Sequence, residues 1–252
     1  SSGPALEQKA SMKLQTQPGS IDPAEARTLI AGVRQWHHAF EILPGLVTPG
    51  SYNPQFMWDK LQLPDDLHGV RALDLGPSDG FFSMKLAQRG ADVTAIDYRA
   101  KDDHGFAAME RLTGLSFDYR RMNLYDVDPA AIGSFDIVLF LGVLYHLPDM
   151  MRALDIVARL SRDRLLIETQ YEPDLADGVA VARYYEGRTL AGDITNFWVP
   201  NKECLHAMLR DTGFRVVREE AWGPRLLVDT SRIAPGVSDK MMLSYGLLDM
   251  QK

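Results

Sequence analysis

Cysteine is almost missing from this chain: a single residue, Cys204, in 252. One thiol closes no internal disulfide, so the small disulfide-stapled folds of secreted proteins are set aside, and Cys204 reads as a packed thiol on an amphipathic helix. No run of about 18 apolar residues occurs, so no membrane-spanning helix is expected. The N-terminus shows no charged–apolar–small leader. Cationic residues are in the minority, 27 Lys and Arg against 34 Asp and Glu, for a formal net charge of −7. A chain whose main partner is nucleic acid usually carries a basic face, so nucleic acid is not the expected partner. His, Cys, Asp and Glu nowhere recur at convincing metal-ligand spacing, and no metal is expected. These absences leave a reducing, cytoplasmic setting for an ordinary globular chain, 46% apolar.

What is present is concentrated in residues 70–98. A buried strand, Val70-Arg-Ala-Leu-Asp74-Leu, runs into the turn Gly76-Pro-Ser78-Asp-Gly80 and then a helix. A second buried strand follows and ends in an acid, Asp97-Tyr98. That is how an α/β sheet holds an adenosine-containing cofactor. A dinucleotide fingerprint needs Gly-x-Gly-x-x-Gly to seat a pyrophosphate on the helix N-terminus. The corresponding positions are Gly76, Ser78 and Phe81, so the third glycine is missing and a dinucleotide is not expected.

The rest of the chain alternates strand and helix, as a doubly wound, mostly parallel sheet requires. Residues 1–20 are polar and read as a disordered arm, Ser1-Ser-Gly3 being a tag remnant before a native start at Met12. Residues 21–66 read as an N-terminal helical extension. Asp22-Pro-Ala-Glu25 starts one helix there, running to about Trp36-His-His-Ala-Phe40, and a second covers 55–62. Residues 67–232 carry seven strands, at 71–75, 92–97, 115–121, 136–141, 164–169, 214–221 and 225–230, with helices at 80–89, 103–112, 148–160 and 201–212. The fourth strand is nearly all apolar and therefore central. The last two form an antiparallel hairpin around Gly223-Pro224. An insertion at 171–200 lies over the C-terminal edge as a substrate lid, and 233–252 form a tail.

The turn Asp74-Leu-Gly76-Pro-Ser78-Asp-Gly80 resembles the cofactor loop of class I S-adenosylmethionine (SAM) methyltransferases, usually Asp/Glu-x-Gly-x-Gly-x-Gly, with Ser78 for the middle glycine. Three further segments carry a narrower likeness: Gly142-Val-Leu-Tyr145-His146 after the fourth strand, Asn196-Phe-Trp198-Val-Pro-Asn201, and Trp36-His-His38 ahead of Thr48-Pro-Gly50. Together they resemble the family of the tRNA wobble-uridine methyltransferase that uses carboxy-SAM, many of whose smaller relatives look like SAM methyltransferases of small molecules. The resemblance covers about residues 35–220. The chain departs from the tRNA enzyme in a shorter N-terminus and in His38, where that enzyme has a lysine holding the extra carboxylate; its tyrosine is kept as Tyr145. The resemblance implies a seven-stranded Rossmann-like sheet, plain SAM as donor with S-adenosylhomocysteine as product, and a small-molecule acceptor. That acceptor is expected to be a hydroxylated sugar or secondary metabolite undergoing O-methylation. A tRNA acceptor is the alternative, and a non-methylating cyclase or binding protein on the same fold is a third reading. A homodimer stays open.

Individual roles follow. Gly76 and Gly80, with Ser78, let the backbone approach the cofactor, and Asp74 orients the loop or meets the amino group of the methionine part. Asp97, 21 residues beyond Gly76, can accept both ribose hydroxyls, and Tyr98 covers the ribose. Asn123 and Leu124 sit where the family contacts adenine; Leu141 and Gly142 line the floor under the sulfonium, with Tyr145 at the methyl. A hydroxyl acceptor needs its proton removed, and His146, His38 and His37 are the rival bases. Adjacent helical residues point about 100° apart, so only one of His37 and His38 is expected to face the pocket. Tyr171, Tyr185, Asn196 and Trp198 are candidate acceptor contacts in the lid, with packing of the long segment as the other reading. Glu168 either faces the acceptor or pairs with an arginine.

Overall fold

Asp22 opens the first helix of the computed structural model, which describes residues 21–233 together with 240 and 241. The expectations for residues 1–20 and for most of 233–252 lie outside the described residues. The Asp22 carboxylate accepts from Ala24 N at 3.0 Å and Glu25 N at 3.1 Å, and Pro23 fills the first turn of α1 (Pro23–Gly32). The helix stops at Gly32, short of the expected 36–40. Val33 is extended, and Trp36 Nε1 donates to Ile30 O at 3.0 Å, capping the end with an indole. Residues 36–52 therefore run as open chain around a small hairpin, β1 (Glu41–Leu43) and β2 (Leu46–Val47), before α2 (Gln55–Leu61).

The sheet begins with β3 (Arg71–Leu75), followed by α3 (Phe81–Gln88), β4 (Asp92–Asp97), α4 (Phe106–Thr113), β5 (Asp118–Arg121) and the short α5 (Pro129–Ile132). Next come β6 (Phe135–Leu141), α6 (Met150–Leu160) and β7 (Ser161–Gln170). A small antiparallel pair follows, β8 (Ala182–Tyr184) with β9 (Trp198–Pro200), then α7 (Lys202–Asp211), β10 (Phe214–Trp222) and β11 (Arg225–Arg232). The seven strands lie in the order β10-β11-β7-β6-β3-β4-β5. Five are parallel and the β10–β11 hairpin is antiparallel, as its Gly223-Pro224 turn predicts.

Three expected boundaries shift. The third strand starts at Asp118, because the Phe117 backbone N–H is taken by Glu110 at 2.9 Å. The fifth begins directly at Ser161, with no loop after α6. The insertion is not structureless, since it contains β8 and β9. Apolar residues cover both sheet faces. Phe81, Phe106 and Met109 pack on one side with Trp36, Phe40 and Trp58 of the extension; Leu144, Leu154, Val157, Leu205 and Phe214 pack on the other. The β3–β6 border, where strand order reverses, leaves a crevice at the C-terminal edge, where open α/β sheets bind ligands.

Candidate active site

The turn leaving β3 is built on positive φ angles at Gly76 (+75°), Ser78 (+55°) and Gly80 (+84°). Gly80 owes its identity to packing, because a Cβ there would run into Met109 Cε and Phe106 of α4. Ser78 adopts a conformation that glycine would take more cheaply, and its hydroxyl lies 2.9 Å from His104 Nδ1. Asp74 is buried and receives the Ser83 hydroxyl at 2.7 Å, so it fixes the loop against α3. Burial pushes its carboxyl up to about 6, while the Ser83 hydroxyl opposes that rise.

Asp97 closes β4 with its carboxylate 4% exposed. One oxygen accepts from Arg99 N at 3.0 Å, and the other lies 3.8 Å from the Arg99 guanidinium. A carboxylate has about four acceptor positions, so Asp97 retains capacity for two ribose hydroxyls. Met122 N donates to Asp97 O at 2.8 Å, which brings Asn123 and Leu124 alongside. Asn123 Oδ1 is spent on Tyr125 N at 2.9 Å, capping its own turn. Tyr98 is 60% exposed, with the Arg99 guanidinium over its ring.

Beyond this lies a polar cluster at the ends of β6, β7 and β11. The buried Glu168 carboxylate forms a two-pronged ion pair with Arg225, and the second Arg225 Nη donates to Tyr145 Oη at 3.2 Å. Glu168 is thus an ion-pair partner, with burial raising its carboxyl above the usual range against the pull of Arg225. Gly142 sits among them: a Cβ there would lie 3.6–3.8 Å from Arg225 Nη2, Glu168 Oε2 and Tyr145 Oη.

The 195–198 stretch of the insertion is fastened to 145–148. Phe197 N donates to Tyr145 O at 2.9 Å, His146 Nδ1 lies 3.2 Å from Thr195 O, and Trp198 Nε1 donates to Pro148 O at 3.1 Å. Trp198 packs edge-on to Tyr184, the Tyr185 hydroxyl donates to Glu172, and Tyr171 packs into the core. These aromatic residues brace the insertion. Asn196 differs from them. Its Nδ2 donates to Leu190 O at 3.0 Å, and its buried Oδ1 has no partner among the described residues, which leaves an acceptor for a bound donor. The bond to Thr195 orients the His146 ring, and burial lowers its pKa.

His37 and His38 are not helical, so both rings turn towards one phenol, that of Tyr52. His38 is buried, with Nδ1 2.5 Å from Asp79 Oδ1 and Nε2 3.0 Å from Tyr52 Oη. His37 Nε2 lies 3.4 Å from the same oxygen, and burial, then His38, lowers its pKa to about 4. Asp79, fully buried in the turn after β3, also accepts His37 N at 3.0 Å and His38 N at 2.7 Å through Oδ2. Asp79, Tyr52 and Arg225 are absent from the sequence-level candidates. Asp79 carried one available signal: an acid in a cofactor turn, where every buried carboxylate must find donors.

The open α/β crevice, with an acid at the end of the second sheet strand and no pyrophosphate seat, has the architecture of the class I methyltransferase fold. Residues 73–164 match the family model described as a methyltransferase domain. That match covers the strands from β3 into β7. The chain is 34% identical over 122 residues to a ubiquinone biosynthesis O-methyltransferase of Xanthomonas oryzae pv. oryzae, covering 46% of this chain and 49% of the relative. It is 26% identical over 200 residues to a tRNA U34 carboxymethyltransferase of Desulfotalea psychrophila, covering 77% and 60%. The chain thus spans about half the length of the first of these relatives. The N-terminal domain of EvdMO1, solved in the presence of SAH and D-fucose, superposes with a TM-score of 0.65 at 21% identity, over 85% of this chain and 97% of that one. Among the described residues no helix is long and apolar enough to cross a membrane, and no cluster of three or more His, Cys, Asp or Glu could hold a metal.

Proposed function

We propose that this chain transfers the methyl group of SAM to a small hydroxylated acceptor held beneath the 171–200 segment. Asp97 would hold the ribose, the Gly76–Gly80 turn the methionine part, and Asn123 with Leu124 the adenine edge. The sulfonium supplies an already activated methyl group, so the protein's share of the work is alignment, exclusion of water and removal of the acceptor's proton. The observation that carries the reading is the closure of residues 195–198 onto Tyr145, His146 and Pro148. It roofs the edge next to Gly142 and favours a molecule small enough to be enclosed over a tRNA loop. Two named relatives keep both options in the test, since one is called an O-methyltransferase and the other a tRNA carboxymethyltransferase. Plain SAM suits the site better than carboxy-SAM. Both His38 nitrogens have partners already, and Arg225 is neutralised by Glu168, so an additional carboxylate would find no free cation beside them among the described residues.

Labelled SAM offered with a catechol, a hydroxyquinone, a hexose and unmodified tRNA tests the reading. A methylated small molecule is expected. Transfer to tRNA alone, or a product heavier by a carboxymethyl group when SAM and carboxy-SAM compete at equal concentration, would overturn it. Binding gives a second check. Asp97→Ala should weaken SAM by about 1–3 kcal/mol by leaving ribose hydroxyls unpaired, with calorimetry showing no NAD binding in either protein. An unchanged dissociation constant would make Asp97 a purely local brace.

A further inference from the structure

We propose that Tyr52 is the catalytic residue that takes the acceptor's proton, driven by Asp79 and His38 as positioning residues in a three-part relay. The proposal rests on the hydroxyl-acceptor reading given above.

The geometry is that of an activated hydroxyl. A buried carboxylate next to Nδ1 holds a proton there and leaves Nε2 of a neutral imidazole as a bare lone pair. The Tyr52 O–H, 3.0 Å from Nε2 and 3.4 Å from His37 Nε2, then donates to the nearer ring. Its oxygen lone pairs remain to receive another proton. The same logic activates serine and cysteine hydroxyls and thiols elsewhere. The phenol also feels the charges of Glu168 and Arg225 and the Tyr145 hydroxyl, the cluster at the ends of β6, β7 and β11. Burial keeps its ionisation well above the usual range. Tyr52 is therefore neutral at rest, as a group that gives one proton while taking another must be.

The framework around Tyr52 is tight. Ala39 N donates to Tyr52 O at 2.7 Å, Ser51 N to His37 O at 3.0 Å, and the Thr48 hydroxyl to His38 O at 2.7 Å. A Cβ on Gly50 would overlap the His38 carbonyl. Four residues of the 48–52 turn thus exist in register with 37–39, and the register puts the phenol over the imidazole.

His146 is the rival base, and electrostatics separates the two. A proton arriving at His146 Nε2 would create an imidazolium whose Nδ1 faces only the carbonyl and hydroxyl of Thr195, at 3.2 and 3.0 Å. Asp193 stands behind the Thr195 hydroxyl and acts on the ring at longer range, without direct contact. A proton arriving at His38 meets a fully buried carboxylate at 2.5 Å. In a water-poor interior that difference favours His38. His146 then holds the lid and the acceptor beneath it.

The step balances. The acceptor's proton moves to the Tyr52 oxygen as the phenol's own proton moves to His38 Nε2, leaving Tyr52 neutral and His38 an imidazolium paired with Asp79. The electron pair freed on the acceptor oxygen forms the carbon–oxygen bond to the methyl, and the carbon–sulfur pair leaves on sulfur. The stored proton returns to solvent through Tyr52, which is 37% exposed.

Two measurements test this on the full chain. Nitrogen-15 spectra of the SAM-free protein should show His38 with its proton on Nδ1 and a bare Nε2 that shifts in Tyr52→Phe. Asp79→Asn should invert the tautomer, because the amide NH₂ would then face Nδ1. A wild-type His38 protonated on Nε2 would overturn the relay. In kinetics with the best acceptor of the panel, Tyr52→Phe should lower kcat by about 10²–10⁴-fold with SAM affinity unchanged, whereas His146→Ala should mainly raise the acceptor KM. Tyr52→Phe within threefold of wild type, or a kcat loss carried by His146→Ala instead, would also overturn it. A wild-type protein that binds SAM but methylates nothing in the panel defeats the hydroxyl-acceptor reading and the relay with it. A wild type that methylates as well as Tyr52→Phe does defeats the relay alone.

Discussion

Arg225→Met is expected to cost about 3–5 kcal/mol of stability at pH 8, the scale for leaving one member of a buried ion pair uncompensated. The cause is Glu168, whose side chain is fully buried and whose two oxygens both depend on the Arg225 guanidinium. Burial already raises the Glu168 carboxyl, and Arg225 is the main force holding it down. Without the arginine that carboxyl rises further, so the folded state binds a proton more tightly than the unfolded chain. Stability then increases as pH falls, because the folded protein can hold Glu168 neutral. Urea unfolding at pH 8 and at pH 5 should show a large deficit at the first and a smaller one at the second. Glu168→Gln in the same background should restore most of the loss at pH 8, because no charge remains buried. A deficit under 1 kcal/mol, or one that does not change with pH, would mean that Glu168 finds solvent when Arg225 is gone.

Asp79→Ala should be comparably severe, at about 3–5 kcal/mol, since it strips the partner from several buried donors at about 1–3 kcal/mol each. The donors are the His37 and His38 backbone N–H groups and His38 Nδ1. Asp79→Asn separates folding from chemistry. Its amide oxygen can replace Oδ2 beneath the two backbone donors, so much of the stability should survive, while the ring loses its carboxylate. Thermal unfolding of the two variants side by side checks this. Equal destabilisation by Ala and Asn would show that the negative charge of Asp79, and not its hydrogen-bonding shape, holds the segment.

Much of the sheet is legible in the sequence, because its strands are buried on both faces and read as apolar runs between turn residues. Phe135–Leu141 is one such run, and the Gly223-Pro224 hairpin has a local signal of its own. The turn after β3 is legible for a related reason: Asp74, Gly76 and Asp97 lie within one strand–turn–helix–strand unit, so their spacing carries the information. The reach of α1 is not legible. Leu29, Ile30 and Val33 keep a helical rhythm up to the point where Trp36 folds back onto Ile30 O, and that tertiary contact overrides it. The same misreading separates His37 from His38, which are in fact joined through Tyr52. Asp79 and Tyr52 stand 27 residues apart, and Glu168 and Arg225 stand 57 apart. No periodicity links such pairs; each is brought together only by the packing of the finished fold.

One carboxylate, Asp79, belongs by sequence to the Gly76–Gly80 turn and by hydrogen bonding to the segment ahead of the sheet. A displacement of that turn would pull on His38 and, through it, on Tyr52. A version of this protein that began at Arg71, the first residue of β3, would keep the sheet strands and lose the partners of Asp79. On the function proposed above, residues 36–52 would have to be resupplied in trans to complete the site.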